Sequence, residues 1–257
     1  MAEQPVLQID QLTKSYRRVQ AVQELSLCIE PGEFVALIGP NGAGKSTTMG
    51  SIAGTVAPDS GTVHIAGHSI VEAPISARRN LGFVPQHLTL LDYLTGLEYL
   101  HFVADLRQLE PEMRDRDIDE LLALTELDDA RHVVLREYSG GMLRKLALSS
   151  VLLGAPPLLV LDESFVGLDP ESTHRLRRRL RKHCDDGGAI LLSSHILDML
   201  EPLCDRFVIL SDGELVEDIS AESLHAKKAR DEIANLTDLY LQVTGKSDAP
   251  WAEGLSG

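Results

Sequence analysis

Phe34-Val-Ala-Leu-Ile38 runs directly into Gly39-Pro-Asn-Gly-Ala-Gly44-Lys45-Ser46-Thr47. A short, continuously apolar run that ends at a glycine and leads into a helix-like segment gives a strand, loop and helix in succession. The loop is spaced G-x-x-x-x-G-K-S, the P-loop pattern, in which glycines let backbone N–H groups wrap phosphates and the next helix presents its positive end. In that pattern Lys45 contacts the β and γ phosphates of a nucleotide and the Ser46 hydroxyl ligates Mg²⁺. The motif alone implies nucleotide binding and nothing narrower.

Two more runs, Leu158-Leu-Val-Leu161 and Ala189-Ile-Leu-Leu192, are continuously apolar, as expected of parallel strands covered on both faces. Ligands of open α/β sheets sit beyond the carboxyl ends of the strands, so Gly39 to Thr47, Asp162-Glu163 and Ser193-Ser-His195 are expected to converge on one crevice. There Asp162 is suited to holding Mg²⁺ through water and Glu163 to polarising an attacking water as general base. The bland alternative, that the acidic pair merely caps a strand end, loses ground beside a P-loop.

Outward from these strands, residues 6–30 alternate like strands, and Arg206-Phe-Val-Ile-Leu210 with a Ser211-Asp-Gly213 turn and the run to Ile219 reads as a hairpin. Between Gln86 and Ser139 the period becomes helical, as in Leu94, Leu97, Glu98 and Leu100, with thirteen acidic residues against five basic ones over 91–137. Residues 221–244 read as helix, followed by a mobile Gly, Ser and Pro tail. The expected fold is α/β, with a mixed, largely parallel core sheet, an N-terminal antiparallel β subdomain and an inserted α-helical subdomain. Its parts are 1–87 and 139–220 for the core with its β subdomain, 88–138 for the helical lobe, and 221–257 for a C-terminal helix and tail.

With 24 basic and 39 acidic residues the chain carries a net charge of -15, which argues against broad contact with nucleic-acid phosphates or anionic lipid. Cys28, Cys184 and Cys204 are odd in number and scattered, which fits a reducing, cytoplasmic setting. No apolar run approaches the roughly 18 residues of a spanning helix. The basic stretch 174–183 follows Asp169-Pro170-Glu171, a good helix start, and reads as a solvated amphipathic helix rather than a nucleic-acid patch.

Tyr138-Ser139-Gly140-Gly141-Met142, twenty residues before the acidic pair, resembles the signature of the ABC (ATP-binding cassette) class, and alone would be an unremarkable turn or helix cap. The resemblance covers almost the whole chain. It implies adenine stacking for Tyr16, lobe joining and Mg²⁺ sensing for Gln86, a dimer-contact loop at Gly167-Leu-Asp169 and a switch role for His195 on the γ phosphate. It also implies that two such domains meet head to tail, with Ser139, Gly140 and Gly141 contacting the γ phosphate in trans. Tyr16 could equally pack in a strand, and Gln86 could be an ordinary polar loop residue. The chain departs from the common pattern at Tyr138, at Met142 and at Ser164-Phe-Val166, where Phe165 is either core or an apolar interface residue.

Residues 88–102 and 235–245 resemble bacterial exporter ATPases of the ABC-2 type, which pair with separate membrane subunits. That resemblance implies MgATP-driven export with the chain on the cytoplasmic membrane face. Leu88, Leu90, Leu91 and Tyr93 would form a docking groove for a helix of the membrane partner, or simply helical-lobe core. Two alternatives stand: a soluble ABC ATPase acting on a macromolecular assembly, and a low-turnover switch that dimerises on nucleotide.

Overall fold

Residues 4–245 are described in the structure, a computed structural model. The N-terminal alternation produces an antiparallel sheet. Here β1 (Leu7–Tyr16) pairs with β2 (Val19–Ile29) on one side and β4 (Ser60–Ile65) on the other, with β5 (His68–Ser69) at the edge. The second sheet has six strands, in the order β10 (Glu214–Ser220), β9 (Arg206–Ser211), β3 (Phe34–Ile38), β8 (Ala189–Ser193), β7 (Leu158–Asp162) and β6 (Leu81–Val84). Only the β9–β10 pair within it is antiparallel.

The continuous apolar runs are explained by what covers the two faces. Phe34, Ala36 and Ile38 point into one core with Leu159, Leu161, Ile190 and Leu192, whereas Val35 and Leu37 point into another with Leu158, Val160, Ala189 and Leu191. Period-two alternation therefore feeds two cores at once, and no polar residue can be spared inside the strands. The first core packs against helices, among them the short α7 (Leu197–Leu200), and the second against the N-terminal sheet, α1 (Lys45–Ile52) and α2 (Pro74–Arg79). The Asp-Gly turn forms as expected, with Asp212 and Gly213 at φ of 51° and 87°, the left-handed pair that a two-residue hairpin needs.

The helical insertion opens with α3 (Gly96–Leu106), whose start Thr95 and Glu98 fix by closing a capping box. Next come α4 (Pro111–Thr125) and then α5 (Gly140–Leu152), whose buried residues join the same core. Asp169 accepts from the Ser172 N–H and caps α6 (Pro170–Asp185), with proline at its first position. Leu176, Leu180 and Cys184 of α6 face inward, while Arg175, Arg181 and Lys182 each pair with an acid one turn away, as a solvated amphipathic helix should.

One expectation is corrected. The segment 221–244 is two helices, α8 (Ala221–Ala229) and α9 (Leu236–Thr244). Asp231 sits at φ 56° and Asn235 accepts from the Asp238 N–H, so the break carries its own stop and start. The tail beyond residue 245 lies outside the described residues. Among those described, no helix is long and apolar enough to cross a membrane.

Candidate active site

Three strand ends meet at a crevice of about 360 Å³. The loop after β3 supplies Pro40, Asn41, Gly42, Gly44, Lys45, Ser46 and Thr47, the end of β7 supplies Asp162 and Glu163, and His195 follows β8. Tyr16 and Gln86 also line it, so the residues expected from separate parts of the sequence are brought together.

The loop can cradle a phosphate only because its glycines let the chain pass close to its neighbours. Gly44 takes φ 100°, and a Cβ there would stand 2.3 Å from the Ala21 carbonyl oxygen; one at Gly39 would stand 2.5 Å from that of Leu210. Ala43, by contrast, is buried and turned into the core beneath the loop. Lys45 Nζ donates to the carbonyls of Gly39 at 2.7 Å and Pro40 at 3.2 Å, which holds the ammonium against the loop. Burial pulls the Lys45 pKa below its ordinary value, against the opposing charges of Glu163 and Asp162.

At the acidic strand end, the Ser193 hydroxyl donates to Asp162 Oδ1 at 2.5 Å and accepts from the Glu163 N–H at 3.1 Å. Glu163 adopts φ 50°, rare for a residue with a side chain, and its carbonyl accepts from Arg144 Nη1 at 3.1 Å. Its Oε2 accepts from the His195 N–H at 3.3 Å. Oε1 lies 3.1 Å from His195 Nε2 but is not aligned for a hydrogen bond, so among the described residues this buried oxygen has no hydrogen-bond donor. Burial raises the Glu163 pKa, opposed by His195 and Lys45. A carboxylate that is buried, raised in basicity and short of a donor is poised to accept a proton from water.

The donor set suits a hard divalent cation. Ser46 is exposed in the crevice, Asp162 is held in orientation by Ser193, and both present oxygen, the ligand that Mg²⁺ prefers beside phosphate oxygens.

Tyr16 ends β1 and is 48% exposed, too open for a core aromatic; Lys14 Nζ lies 5.6 Å from its ring centroid. Val19 and Ala21 line the crevice beside it, and nothing in their sequence pattern marks them out. Ser139, Gly140 and Gly141 do not line the crevice at all. Ser139 caps α5 by accepting from the Met142 N–H, so this segment is a helix N-terminus facing elsewhere. Phe165 is buried in the helix-side core, which settles its alternatives in favour of packing. Leu88 and Leu90 line a separate hollow of about 290 Å³ with Leu135, Tyr138 and Leu143; Leu91 and Tyr93 do not.

Comparison with known proteins agrees with this geometry. The ABC transporter family model matches residues 22–166. An uncharacterized ABC transporter ATP-binding protein of Bacillus subtilis, YxlF, is 38% identical over 82% of this chain and 69% of its own length. A solved structure of the ATP-binding subunit of an ABC transporter aligns with TM-score 0.88 and 33% identity, covering 93% of this chain and 99% of that one. A dimeric ATP-binding cassette in a post-hydrolysis state, bound to ADP and Pi, aligns with TM-score 0.77 and 26% identity over 84% of this chain and 98% of its own. This chain belongs to the ABC transporter family, as an ATP-binding subunit with ATPase activity.

Proposed function

We propose that this chain meets a second cassette head to tail around two MgATP molecules and that hydrolysis drives transport through separate membrane subunits, in the export direction, from the cytoplasmic face of the membrane. The observation that carries the proposal is the division of phosphate-binding groups. The crevice holds the P-loop, Asp162, Glu163 and His195, while the signature residues Ser139, Gly140 and Gly141 form a helix N-terminus outside it. An N-terminus of this kind suits an anion, and the phosphate it would meet belongs to a partner's crevice. The dimeric ADP- and Pi-bound cassette that shares this fold supports the same arrangement.

In each site, residues 39–47 wrap the phosphates and Tyr16 stacks the adenine. Ser46 and Asp162, with Gln86 nearby, would hold Mg²⁺, which would supply positive charge to offset that of the phosphates. Glu163 orients water and takes its proton through Oε1, and His195 hydrogen-bonds the γ phosphate. Ser139, Gly140 and Gly141 close the site across the interface, where Gly167-Leu-Asp169 makes further contact. The hollow formed by Leu88, Leu90, Leu135, Tyr138 and Leu143 would take a short helix of the membrane subunit. The export direction rests on the likeness of residues 88–102 and 235–245 to ABC-2-type exporter ATPases.

The test is to recover tagged Glu163→Gln chain with MgATP from its native membranes in mild detergent and to identify co-purifying proteins by mass spectrometry. A stoichiometric polytopic membrane protein is expected. Recovery only from the soluble fraction, with non-membrane partners, would replace transport by a soluble assembly role.

A further inference from the structure

Three contacts tie the start of α5 to the loop 163–169 of the same chain. Gly141 packs so near Gly167 that a Cβ on it would stand 3.2 Å from the Gly167 carbonyl oxygen. Arg144 Nη1 donates to the Glu163 carbonyl at 3.1 Å, and Lys145 Nζ lies 3.1 Å from Asp169 Oδ2. The backbone of Glu163 is held on its N-terminal side as well, since the N–H of the preceding peptide group donates to the Ser193 hydroxyl at 3.1 Å and to the Ser193 carbonyl at 3.3 Å. A side-chain-bearing residue at φ 50° keeps that conformation only when its surroundings impose it, and here the grip on the carbonyl comes from Arg144. Arg144 is partly buried and does not line the crevice.

We infer that Arg144 is a positioning residue that transmits closure of the signature on a partner's nucleotide to the Glu163 carboxylate of its own chain. The inference rests on the head-to-tail dimer proposed above. The first turn of α5 would meet the partner's γ phosphate, and a helix turn moves as a unit, so a shift at Ser139 reaches Arg144 little more than one turn away. The guanidinium passes that shift to the Glu163 carbonyl through a charge-assisted hydrogen bond. With the Glu163 N–H held on Ser193, a pull on the Glu163 carbonyl that changes the φ of residue 163 carries Cβ and the carboxylate with it. Each nucleotide contact across the interface thus sets the base at the other site.

The test uses the full chain carrying Arg144→Ala, Arg144→Lys or Arg144→Met. Steady-state kcat and KM are measured, together with ATP-dependent dimerisation in the Glu163→Gln background by light scattering. Arg144→Ala is expected to lower kcat about tenfold while KM and dimerisation stay within about twofold of the parent. Arg144→Lys, which can still donate one bond to the carbonyl, restores most of the loss. Parent kcat in Arg144→Ala overturns the inference, as does a kcat loss that only tracks lost dimerisation. Should Arg144→Ala not fold, Arg144→Met keeps the stem without the donor and is held to the same outcomes. If the Glu163→Gln chain does not dimerise with MgATP, the head-to-tail proposal falls and this inference with it. If it dimerises and the Arg144 variants keep parent kcat, the role of Arg144 alone falls.

Discussion

Gly96 and Tyr138 are expected to behave as a matched pair. Tyr138 stands where leucine is common in the signature, is 7% exposed, and donates its hydroxyl to the Ala130 carbonyl at 2.8 Å. A Cβ at Gly96 would lie 2.2 Å from that hydroxyl oxygen and 3.2 Å from the ring carbon Cζ. Gly96→Ala must therefore displace either the ring or the start of α3, an overpacking cost of about 1–3 kcal/mol. Alanine would otherwise gain roughly 0.5–1 kcal/mol as the better helix former, which leaves a net loss of up to about 2.5 kcal/mol. Tyr138→Phe removes one hydrogen bond and costs about 1 kcal/mol. In the double variant the hydroxyl is gone and the nearest contact relaxes to the 3.2 Å approach of Cζ, which a shift of a few tenths of an ångström relieves. The double variant should then be at least as stable as Tyr138→Phe alone, a coupling of roughly 1–3 kcal/mol. Urea unfolding of the four proteins by circular dichroism, with equal m-values, measures this directly. A double variant that loses the sum of the two single costs would show that the hydroxyl is not what keeps residue 96 a glycine.

Lys45→Ala should weaken MgATP binding by at least about tenfold in calorimetry, since the buried ammonium is the cation of the phosphate cradle; parent affinity would remove it from that role. Only the deprotonated Glu163 accepts a proton, and burial raises its pKa, so activity is present above the raised value and lost as pH falls through it. The acid limb of kcat/KM is thus expected above pH 4.5, and a limb at or below that value would contradict a buried base. His183 is buried with Nε2 unpartnered among the described residues and its pKa is pushed down to about 4 from 6.5 by burial. The unfolded chain binds the extra proton between those values, so stability falls as pH drops from 6.5 toward 4, by about 2 kcal/mol after allowance for solvent near the ring. His183→Gln should flatten that slope in urea unfolding, and an unchanged slope would point to another group.

The parallel strands were legible because Phe34–Ile38, Leu158–Asp162 and Ala189–Ser193 feed two cores and so lack any polar interruption over their apolar runs. The P-loop was legible because its glycines answer to local geometry, as the close approach of Gly44 to Ala21 demonstrates. Convergence of Lys45, Asp162, Glu163 and His195 followed from strand order alone. What stayed hidden depends on tertiary approach. Arg144 reads as one more basic residue on a helix, and only folding carries it to the Glu163 carbonyl. Val19 and Ala21 line the crevice because the β1–β2 pairing sets Val19 opposite Tyr16, which their residue types do not announce. The break in the C-terminal helix was written in Asn235, a good cap, but lay hidden inside a segment whose overall period stays helical.

The departures from the common cassette pattern share one side of the molecule. Tyr138 and Phe165 are buried in the helix-side core, and Met142 packs against it, so all three answer to the same packing problem. The groups that can touch phosphate, metal or water lie at the strand ends and belong to a different set of contacts. A tyrosine before Ser139 leaves room only for a glycine at residue 96, and Tyr138 in turn braces the chain that leads into the signature. Phe165 plays the corresponding part in the loop after Glu163, anchoring in the core a segment whose ends are the candidate base and the cap of α6. Both replacements therefore anchor backbone next to the groups that must be aimed, while leaving those groups themselves in place. In the head-to-tail dimer proposed above, such anchors would set how firmly the signature helix and the 163–169 loop move together, the motion on which coupling between two nucleotide sites would depend.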